Sequence, residues 1–373
     1  MSQARAMPML KETLDLYDIA LLLNHERVAS EPRFRGARLV DISRDGQSFV
    51  DDRLAPHWDR TAYFKSAGVP IEKDPSVPSF EFVSSSDEPR RGASLIFHND
   101  EATSSTTDSP TNMIATDAQR VAAASLVGPP YQFSKVRLSD KECETLFLQS
   151  RSSAASETSV HLLQAFFNLY PADTLLRVRT YDRNDPEYIT SISHRLVLAY
   201  SLRGLRMHTI VSFLPETTCH STPGADGRAR HTVITFGDAS ARWDNLRTVL
   251  DMSSLQFGDA GRGVKGKGTF VLEPLKAYDA RLDHVAEAND LLIEDMVPEL
   301  PTTENNAEEE RFLKEVAAKV KSRWDQRATE PWCGHCGAPA PKVQAKCCSA
   351  ARYCNRDHQV SAWPYHKMFC GKS

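Results

Sequence analysis

The sequence predicts an α/β body, a mixed sheet with helices, followed by a small C-terminal unit that cannot rely on a hydrophobic core. The body is predicted by strand-like and helix-like segments that alternate from Thr174 to about residue 295. The C-terminal unit is predicted by its cysteines, because the last 41 residues hold six of the eight in the chain. So short a segment buries too little apolar surface to fold alone, and it therefore needs a cross-link or a metal ion.

Composition places the chain among ordinary globular proteins. It has 373 residues, of which 41% are hydrophobic and 25% charged. The roughly 330 residues before the tail suffice for one large domain or two smaller ones. The start lacks the apolar stretch of a secretory signal peptide, and apolar runs such as residues 19–23 are too short to span a membrane. We therefore expect a cytoplasmic or nuclear protein, in which cysteines favour metal binding over disulfides.

The first 127 residues predict two helices, three strands and a loop. Apolar residues recur with helical spacing over residues 10–28. The Ser/Thr-rich stretch 99–116 predicts an exposed, flexible loop. The remaining elements expected here are strands at 38–43, 79–84 and 93–98 and a helix at 117–127.

The middle of the chain predicts alternating elements. A helical region at 139–169 is broken near 151–156, and Ser139 with Glu142 suits a capping box at its start. Strand-like runs follow at 174–181, 206–214, 231–236 and 269–275; helix-like stretches lie at 187–203, 241–254 and 277–295, and loops at 215–229 and 256–268.

The clearest helix of the chain is predicted at 307–328. Acidic residues lead and basic residues trail, which suits the helix dipole, and Asn306 with Glu309 can cap the start. Two i,i+4 pairs are expected, Glu310–Lys314 and Glu315–Lys319. One apolar stripe should pack on the body; it consists of Phe312, Val316, Val320 and Trp324. We thus divide the chain into a body (1–300), a charged connecting helix (301–330) and a C-terminal unit (331–373).

The cysteines and histidines of the tail have the spacings of metal ligands. Cys333 and Cys336 form a C-x2-C knuckle, with Gly334 and Gly337 allowing a tight turn. Two pairs have i,i+4 spacing, which puts both side chains on one face of a helix: Cys354 with His358, and His366 with Cys370. Pro364 is expected to separate two short helices, near 355–362 and 364–370. Two pairs from loops and two from helices predict two zinc ions.

The tail resembles the MYND-type zinc finger. The matching residues are Cys333, Cys336, Cys348, Tyr353, Cys354, His358, Gln359, Trp363, His366, Lys367 and Cys370. The resemblance implies a small cross-brace in which two zinc ions are held. By that resemblance the first ion binds Cys333, Cys336, Cys354 and His358. The second would take Cys348, His366 and Cys370.

The fourth ligand of the second ion departs from the family pattern. The pattern expects a cysteine at position 345, where this chain has Ala345, and Cys347 lies two residues off register. We predict that Cys347 substitutes as the fourth ligand. The alternative is that Cys347 is a spare thiol and the second site is degenerate.

Other interpretations of the tail fit less well. Residues 331–336 read PWCGHC, as in protein disulfide isomerases, but the sequence before them is charged and Pro339 and Pro341 oppose the helix that this chemistry needs. A C2H2 finger would need a histidine where Ser349 stands. RING-type fingers place their histidine earlier in the ligand order.

No catalytic motif stands out in the body. Residues 261–269 read GRGVKGKGT, but a phosphate loop would be followed by a helix, and here strand-like FVLEPL follows, so we predict a basic turn between a helix and a strand. Cys143 and the Cys219–His220 pair lack the context of a nucleophile. Some MYND proteins are SET-domain lysine methyltransferases, but the Asn-His-Ser-Cys stretch of those enzymes is absent.

These observations predict an intracellular adaptor or regulator. The net charge is −4, and the tail alone is formally +5, so the acidic body argues against direct nucleic-acid binding. MYND fingers bind proline-containing peptides of protein partners and often act in transcriptional regulation, and the resemblance implies the same here. The expected contact surface lies near Trp363 and Tyr353. The alternative is an enzyme of unknown reaction in the body that the finger recruits, although the sequence favours a non-enzymatic role.

Overall fold

The computed structural model describes most of the body and nearly all of the tail. The residues described are 13–43, 91–99, 108–127, 136–205, 207–214, 219–221, 228–237, 245–286, 292–301, 307–348 and 350–370. The strand predicted at 79–84 and the cap predicted at Asn306 lie outside these residues.

Helices and strands are mixed along the chain, as the sequence predicts. The helices are α1 (Leu16–Ala29), α2 (Asp117–Val127), α3 (Asp140–Ser152), α4 (Ser156–Phe167), α5 (Leu275–Val285), α6 (Ala307–Asp325) and α7 (Arg356–Phe369). The strands are β1 (Thr13–Asp15), β2 (Ala37–Ser43), β3 (Arg91–Asn99), β4 (Leu175–Val178), β5 (Tyr188–Ser191), β6 (Arg195–Arg203), β7 (Met207–Leu214), β8 (Cys219–Ser221), β9 (Arg228–Gly237), β10 (Leu246–Asp251), β11 (Val271–Pro274), β12 (Leu292–Val297), β13 (Val343–Gln344) and β14 (Arg352–Tyr353).

The largest sheet is antiparallel, with strand order β11-β10-β9-β6-β12. Its side chains alternate between two apolar clusters. Leu196 and Leu198 share one with Leu282 of α5, whereas Val197 between them lies in the other, with α1 and α4. The sheet is therefore covered on both faces. The remaining body strands form a sheet of order β2-β3-β7-β8 and a smaller one of order β1-β4-β5.

Two predicted helices are wrong. Residues 187–203 contain strands β5 and β6, and residues 241–254 contain β10. The prediction at 277–295 holds for α5, but β12 follows where the helix was expected to continue. For β6 the physical reason is that the strand is buried along nearly its whole length and reads as an apolar run, whose periodicity does not separate it from a buried helix.

Helix α1 lies at the centre of the core rather than at its surface. Asp15 caps it by accepting a hydrogen bond from the backbone N–H of Asp18 (3.3 Å). Nearly every side chain from Leu16 to Ala29 is buried, including Glu26 and Arg27. The helix begins later than the predicted residue 10, because β1 first pairs in parallel with β4.

The predicted exposed loop at 99–116 is wrong for its second half. Asp108 is buried between Arg38 (3.1 Å) and Arg151 (3.2 Å), and Met113 is also buried. The backbone of this stretch forms hydrogen bonds with that of Leu39 in β2. A polar sequence thus lies inside because its charges are paired there.

Helix α6 packs on the body, as its apolar stripe predicts. Val316, Val320 and Trp324 lie in the same core as α1. The Glu310–Lys314 pair is present (2.6 Å). Lys319, however, pairs with the buried Glu26 of α1 (2.7 Å) instead of Glu315. The helix that precedes the tail is therefore fixed to the body along its length.

Candidate metal centre

The knuckle of the tail is a tight turn held by backbone hydrogen bonds. The N–H of Gly337 donates to the carbonyl of Cys333 (2.9 Å), and Gly337 has a φ of +74°, which favours glycine. The N–H of Gly334 donates to the carbonyl of Arg352 in β14 (2.8 Å). These bonds aim both knuckle cysteines towards the short β13–β14 hairpin.

One continuous helix, α7, carries the last ligand positions, so the two short helices predicted there are wrong. Asn355 caps it by accepting from the N–H of His358 (2.8 Å). Pro364 lies inside the helix and does not end it. Its neighbours Ala362 and Tyr365 are buried, one in the finger and the other against the body, and this packing offsets the lost hydrogen bond.

The first group of predicted ligands comes together in space. The donor atoms of Cys333, Cys336, Cys354 and His358 all lie within 4.8 Å of one another. The Cys336 and Cys354 sulfurs are 3.7 Å apart, and Cys333 Sγ is 3.4 Å from His358 Nδ1. Thiolates about 2.3 Å from a tetrahedral zinc ion are separated by about 3.8 Å, so this group fits one zinc ion.

The second group also comes together, and it includes Cys347. The donor atoms of Cys347, Cys348, His366 and Cys370 lie within 4.8 Å of one another. His366 Nε2 is 3.1 Å from Cys347 Sγ and 3.7 Å from Cys348 Sγ. Ala345 is instead buried in the small core of the finger. Four donors fit a second zinc ion, and the coordination by Cys347 itself stays a prediction.

The pKa values of two residues in the first group are shifted by their neighbours. Hydrogen bonds from Cys336 and Cys354 lower the pKa of the Cys333 thiol, which favours its thiolate. Burial alone would lower the pKa of His358, but its hydrogen bonds with Cys333 and Cys354 raise it to about 10. A zinc ion that binds His358 must therefore displace a proton, and we expect zinc affinity to fall in acid.

Three residues that the sequence analysis did not single out as functional connect the first group to the body. His335, between the knuckle cysteines, lies with its Nε2 2.9 Å from Glu144 Oε1 of α3. Arg262 donates to the other oxygen of Glu144 (3.1 Å). His358 Nε2 lies 3.7 Å from the same carboxylate. Although Glu144, His335 and His358 could by composition bind a metal, Arg262 already compensates the carboxylate, and His358 also belongs to the first group.

Aromatic packing fixes the rest of the finger to the body. The rings of Tyr365 and Tyr17 stack at 3.6 Å between centroids. Trp332 packs near Trp324 of α6 (6.2 Å). Beside this contact lies a groove of about 210 Å³ between finger and body; its lining includes Asp18, Arg179, Trp332, Arg352, Tyr353, His366 and Phe369.

The predicted contact surface is only partly exposed. Trp363 is 44% exposed and Val360 50% exposed, and both lie on the outward side of α7. Tyr353 is only 1% exposed, so it contributes to the lining of the groove but adds almost nothing to the exposed surface. Its ring fills the core of the finger together with Cys333 and Ala345.

The glycine-rich stretch is a packed turn beside the finger. The strand predicted after it is present as β11, but the element before it is a 3-10 turn, Ser254–Gly261, instead of the predicted helix. A Cβ atom on Gly261 or Gly263 would overlap backbone atoms. Thr269 at its end donates through its hydroxyl to the carbonyl of His335 (3.4 Å). Its glycines thus permit close backbone packing, which is a structural role.

Of the remaining candidates, the structure describes the side chains of Cys143, His194 and His231, which lie in separate parts of the fold. Cys143 is buried in α3. His194 lies 3.2 Å from the hydroxyl of Thr190 in a turn. His231 is 1% exposed and inaccessible to a substrate. The side chains of His208, Cys219 and His220 lie outside the described residues.

Comparison with known proteins identifies the tail alone. Residues 333–370 match the family model of the MYND finger. The body matches no family, and neither a curated protein nor a solved structure matches the chain significantly. The C-terminal segment is thus a MYND-type finger with two cysteine and histidine groups that fit two zinc ions. None of the helices in the described part of the chain is long and apolar enough to cross a membrane.

Proposed function

We propose that this protein is an intracellular adaptor or regulator whose zinc-loaded finger binds a protein partner. The observation that carries the proposal is the match of residues 333–370 to the MYND finger, a module that typically mediates protein–protein interaction. We extend it to partners with proline-containing segments, to a role in transcriptional regulation, and to the cytoplasm or nucleus as the place of action.

The outward side of α7 supports this proposal. Trp363 and Val360 are large apolar side chains that remain solvent-exposed although the opposite side of the helix is buried. Partly exposed aromatic side chains are frequent anchors of protein interfaces. Lys367 lies on the same side, one turn beyond Trp363, and adds a positive charge.

A binding assay with the zinc-loaded full chain tests the proposal. The probe is an array of synthetic proline-containing peptides, and the variants are Trp363→Ala and Val360→Ser. We expect each variant to bind the retained peptides with an affinity lower by about tenfold or more. Val121→Ser is the matched control, because Val121 is 71% exposed on α2 in the body. The proposal is overturned if no peptide is retained, or if all three variants bind like the parent chain.

A further inference from the structure

We propose that Glu144 of the body is a positioning residue for the first zinc site of the finger. It holds the knuckle through His335 and faces the histidine ligand His358 from the side opposite the cysteines. The zinc affinity of the finger would then depend on a carboxylate that lies 191 residues away from His335 in the sequence. This inference goes beyond the proposed interaction role and does not depend on it.

The position of Glu144 is fixed independently of the finger. It lies in the first turns of α3, which begins with the complete capping box of Ser139 and Glu142. Arg262 is 2% exposed and donates both to Glu144 (3.1 Å) and to the hydroxyl of Thr145 (2.8 Å). A carboxylate held by a buried arginine on a rigid helix is preorganised for a further partner.

That further partner is His335, the residue between the two knuckle cysteines. His335 is 4% exposed, and its Nε2 lies 2.9 Å from Glu144 Oε1. Its carbonyl accepts from the hydroxyl of Thr269. Two contacts from the body therefore set the orientation of the turn that carries Cys333 and Cys336.

The same carboxylate faces the histidine ligand. The two nitrogens of His358 point in opposite directions: Nδ1 lies 3.4 Å from Cys333 Sγ, and Nε2 lies 3.7 Å from Glu144 Oε1. A carboxylate behind a metal-bound histidine fixes its tautomer and its orientation. The distance of 3.7 Å is that of an electrostatic contact, whereas the direct hydrogen bond goes to His335.

The second group lacks this arrangement. In the described part of the chain, the neighbours of His366 Nε2 are the sulfurs of Cys347 and Cys348, and no carboxylate pairs with His366. The rings beside it belong to Trp363 and Tyr353. Loss of the Glu144 carboxylate should therefore weaken one zinc site and leave the other unchanged, and this difference separates positioning from a general loss of stability.

The experiment measures zinc release site by site on the full chain. Zinc-loaded protein is mixed with a chelator and an alkylating reagent, and mass spectrometry of peptides follows the modification of each cysteine. The variants are Glu144→Gln, which removes the charge, and His335→Gln, which removes the imidazole. Glu315→Gln is the matched control, because Glu315 is exposed on α6.

We expect Glu144→Gln to accelerate alkylation of Cys333, Cys336 and Cys354 by about tenfold or more. Cys347, Cys348 and Cys370 should react at the parental rate, and His335→Gln should show the same selectivity. The inference is overturned if both groups of cysteines react faster by the same factor, or if neither changes. If Glu144→Gln does not fold, the test uses His335→Gln, and the inference is overturned if this variant does not accelerate alkylation of the first group of cysteines selectively.

Discussion

At the scale of single residues, the centre of the large sheet contains a buried polar cluster whose groups are all paired. His231 Nε2 lies 2.8 Å from Asp251 Oδ2, and the hydroxyl of Tyr278 donates to the same oxygen (2.9 Å). Gln256 Nε2 lies 2.9 Å from His231 Nδ1. Paired in this way, the cluster stabilises the sheet.

Asp251 should make stability depend on pH in acid. Burial alone would raise its pKa, but the charge and hydrogen bond of His231 and the hydrogen bonds of Tyr278 and Ser253 lower it. Because the pKa of Asp251 is lower in the folded state than in the unfolded state, its ionised carboxylate stabilises the fold above about pH 4, the ordinary pKa of aspartate. This stabilisation is lost as the pH falls through the folded-state pKa. We expect Asp251→Asn to lower the free energy of unfolding by about 2 kcal/mol at pH 7 and by progressively less below pH 4.

Urea unfolding of parent and variant between pH 3 and pH 7 measures this effect. Both chains lose zinc in acid, so the difference between their free energies of unfolding isolates Asp251. A difference that stays constant over this range would show that the carboxylate charge contributes nothing.

Cys347 decides whether the second zinc site is complete. Because its sulfur lies 3.1 Å from His366 Nε2, we expect the full chain to bind two zinc ions and the Cys347→Ser chain to bind about one. Cys348→Ser should have the same effect, whereas Cys143→Ser, which changes a buried thiol of α3, should retain two. Zinc per chain is measured by elemental analysis after gel filtration. Two ions in Cys347→Ser would make Cys347 a spare thiol.

At the scale of elements, the finger rests on α1 through a close backbone approach at its knuckle. A Cβ atom on Gly337 would lie 2.7 Å from the carbonyl oxygen of Leu21 and 2.8 Å from the Cβ of His25. Arg323 of α6 donates to the carbonyl of Gly337 (2.7 Å) and also pairs with Glu26 of α1. The turn is thus fixed between two helices of the body, and a larger residue would separate them.

Gly337→Ala should destabilise the chain more than a matched glycine substitution. Gly266 has a similar φ of +70°, but nothing lies within 4 Å of its Cβ position. Gly266→Ala should therefore lower the free energy of unfolding only by the cost of a positive φ at alanine, about 1 kcal/mol. Gly337→Ala should lower it by about 1–3 kcal/mol more, because the added methyl group overlaps α1. Chemical unfolding of the two zinc-loaded variants measures the difference. Equal losses would mean that the knuckle does not rest tightly on α1.

At the scale of the whole molecule, the finger and the body share one core. Tyr365 of α7 lies in the same apolar cluster as Leu16 of α1 and Val320 of α6. Glu144 and Thr269 connect the knuckle to α3 and to the glycine-rich turn. The zinc ions should therefore support the body as well as the tail.

Removal of zinc should lower the stability of the body. A ligand that binds only the folded state stabilises it by about 3 kcal/mol when its concentration is 100 times its Kd. We expect a chelator to lower the unfolding temperature measured by far-UV circular dichroism, and to do so less in the Tyr365→Ala chain, where contact with Tyr17 is lost. An unchanged transition in the parent chain would show that the finger unfolds independently.

The elements predicted correctly are those whose signals are local. The capping box of Ser139 and Glu142 begins α3 as predicted, and the stripe on α6 faces the core. The error at 187–203 has a physical cause: a buried apolar run suits a helix and a strand equally, and only strand pairing selects between them. Pro364 is likewise tolerated because tertiary packing holds the helix on both sides of it.

The sequence by itself determined the finger, since ligand type and spacing fix a small metal-stabilised unit in which Cys347, Cys348, His366 and Cys370 can meet. Only the tertiary structure placed Glu144 against His335, buried Tyr353 and left Trp363 exposed. The reason is distance along the chain: ligand spacing acts over a few residues, whereas the contacts of Glu144 depend on how α3 and the knuckle pack after folding.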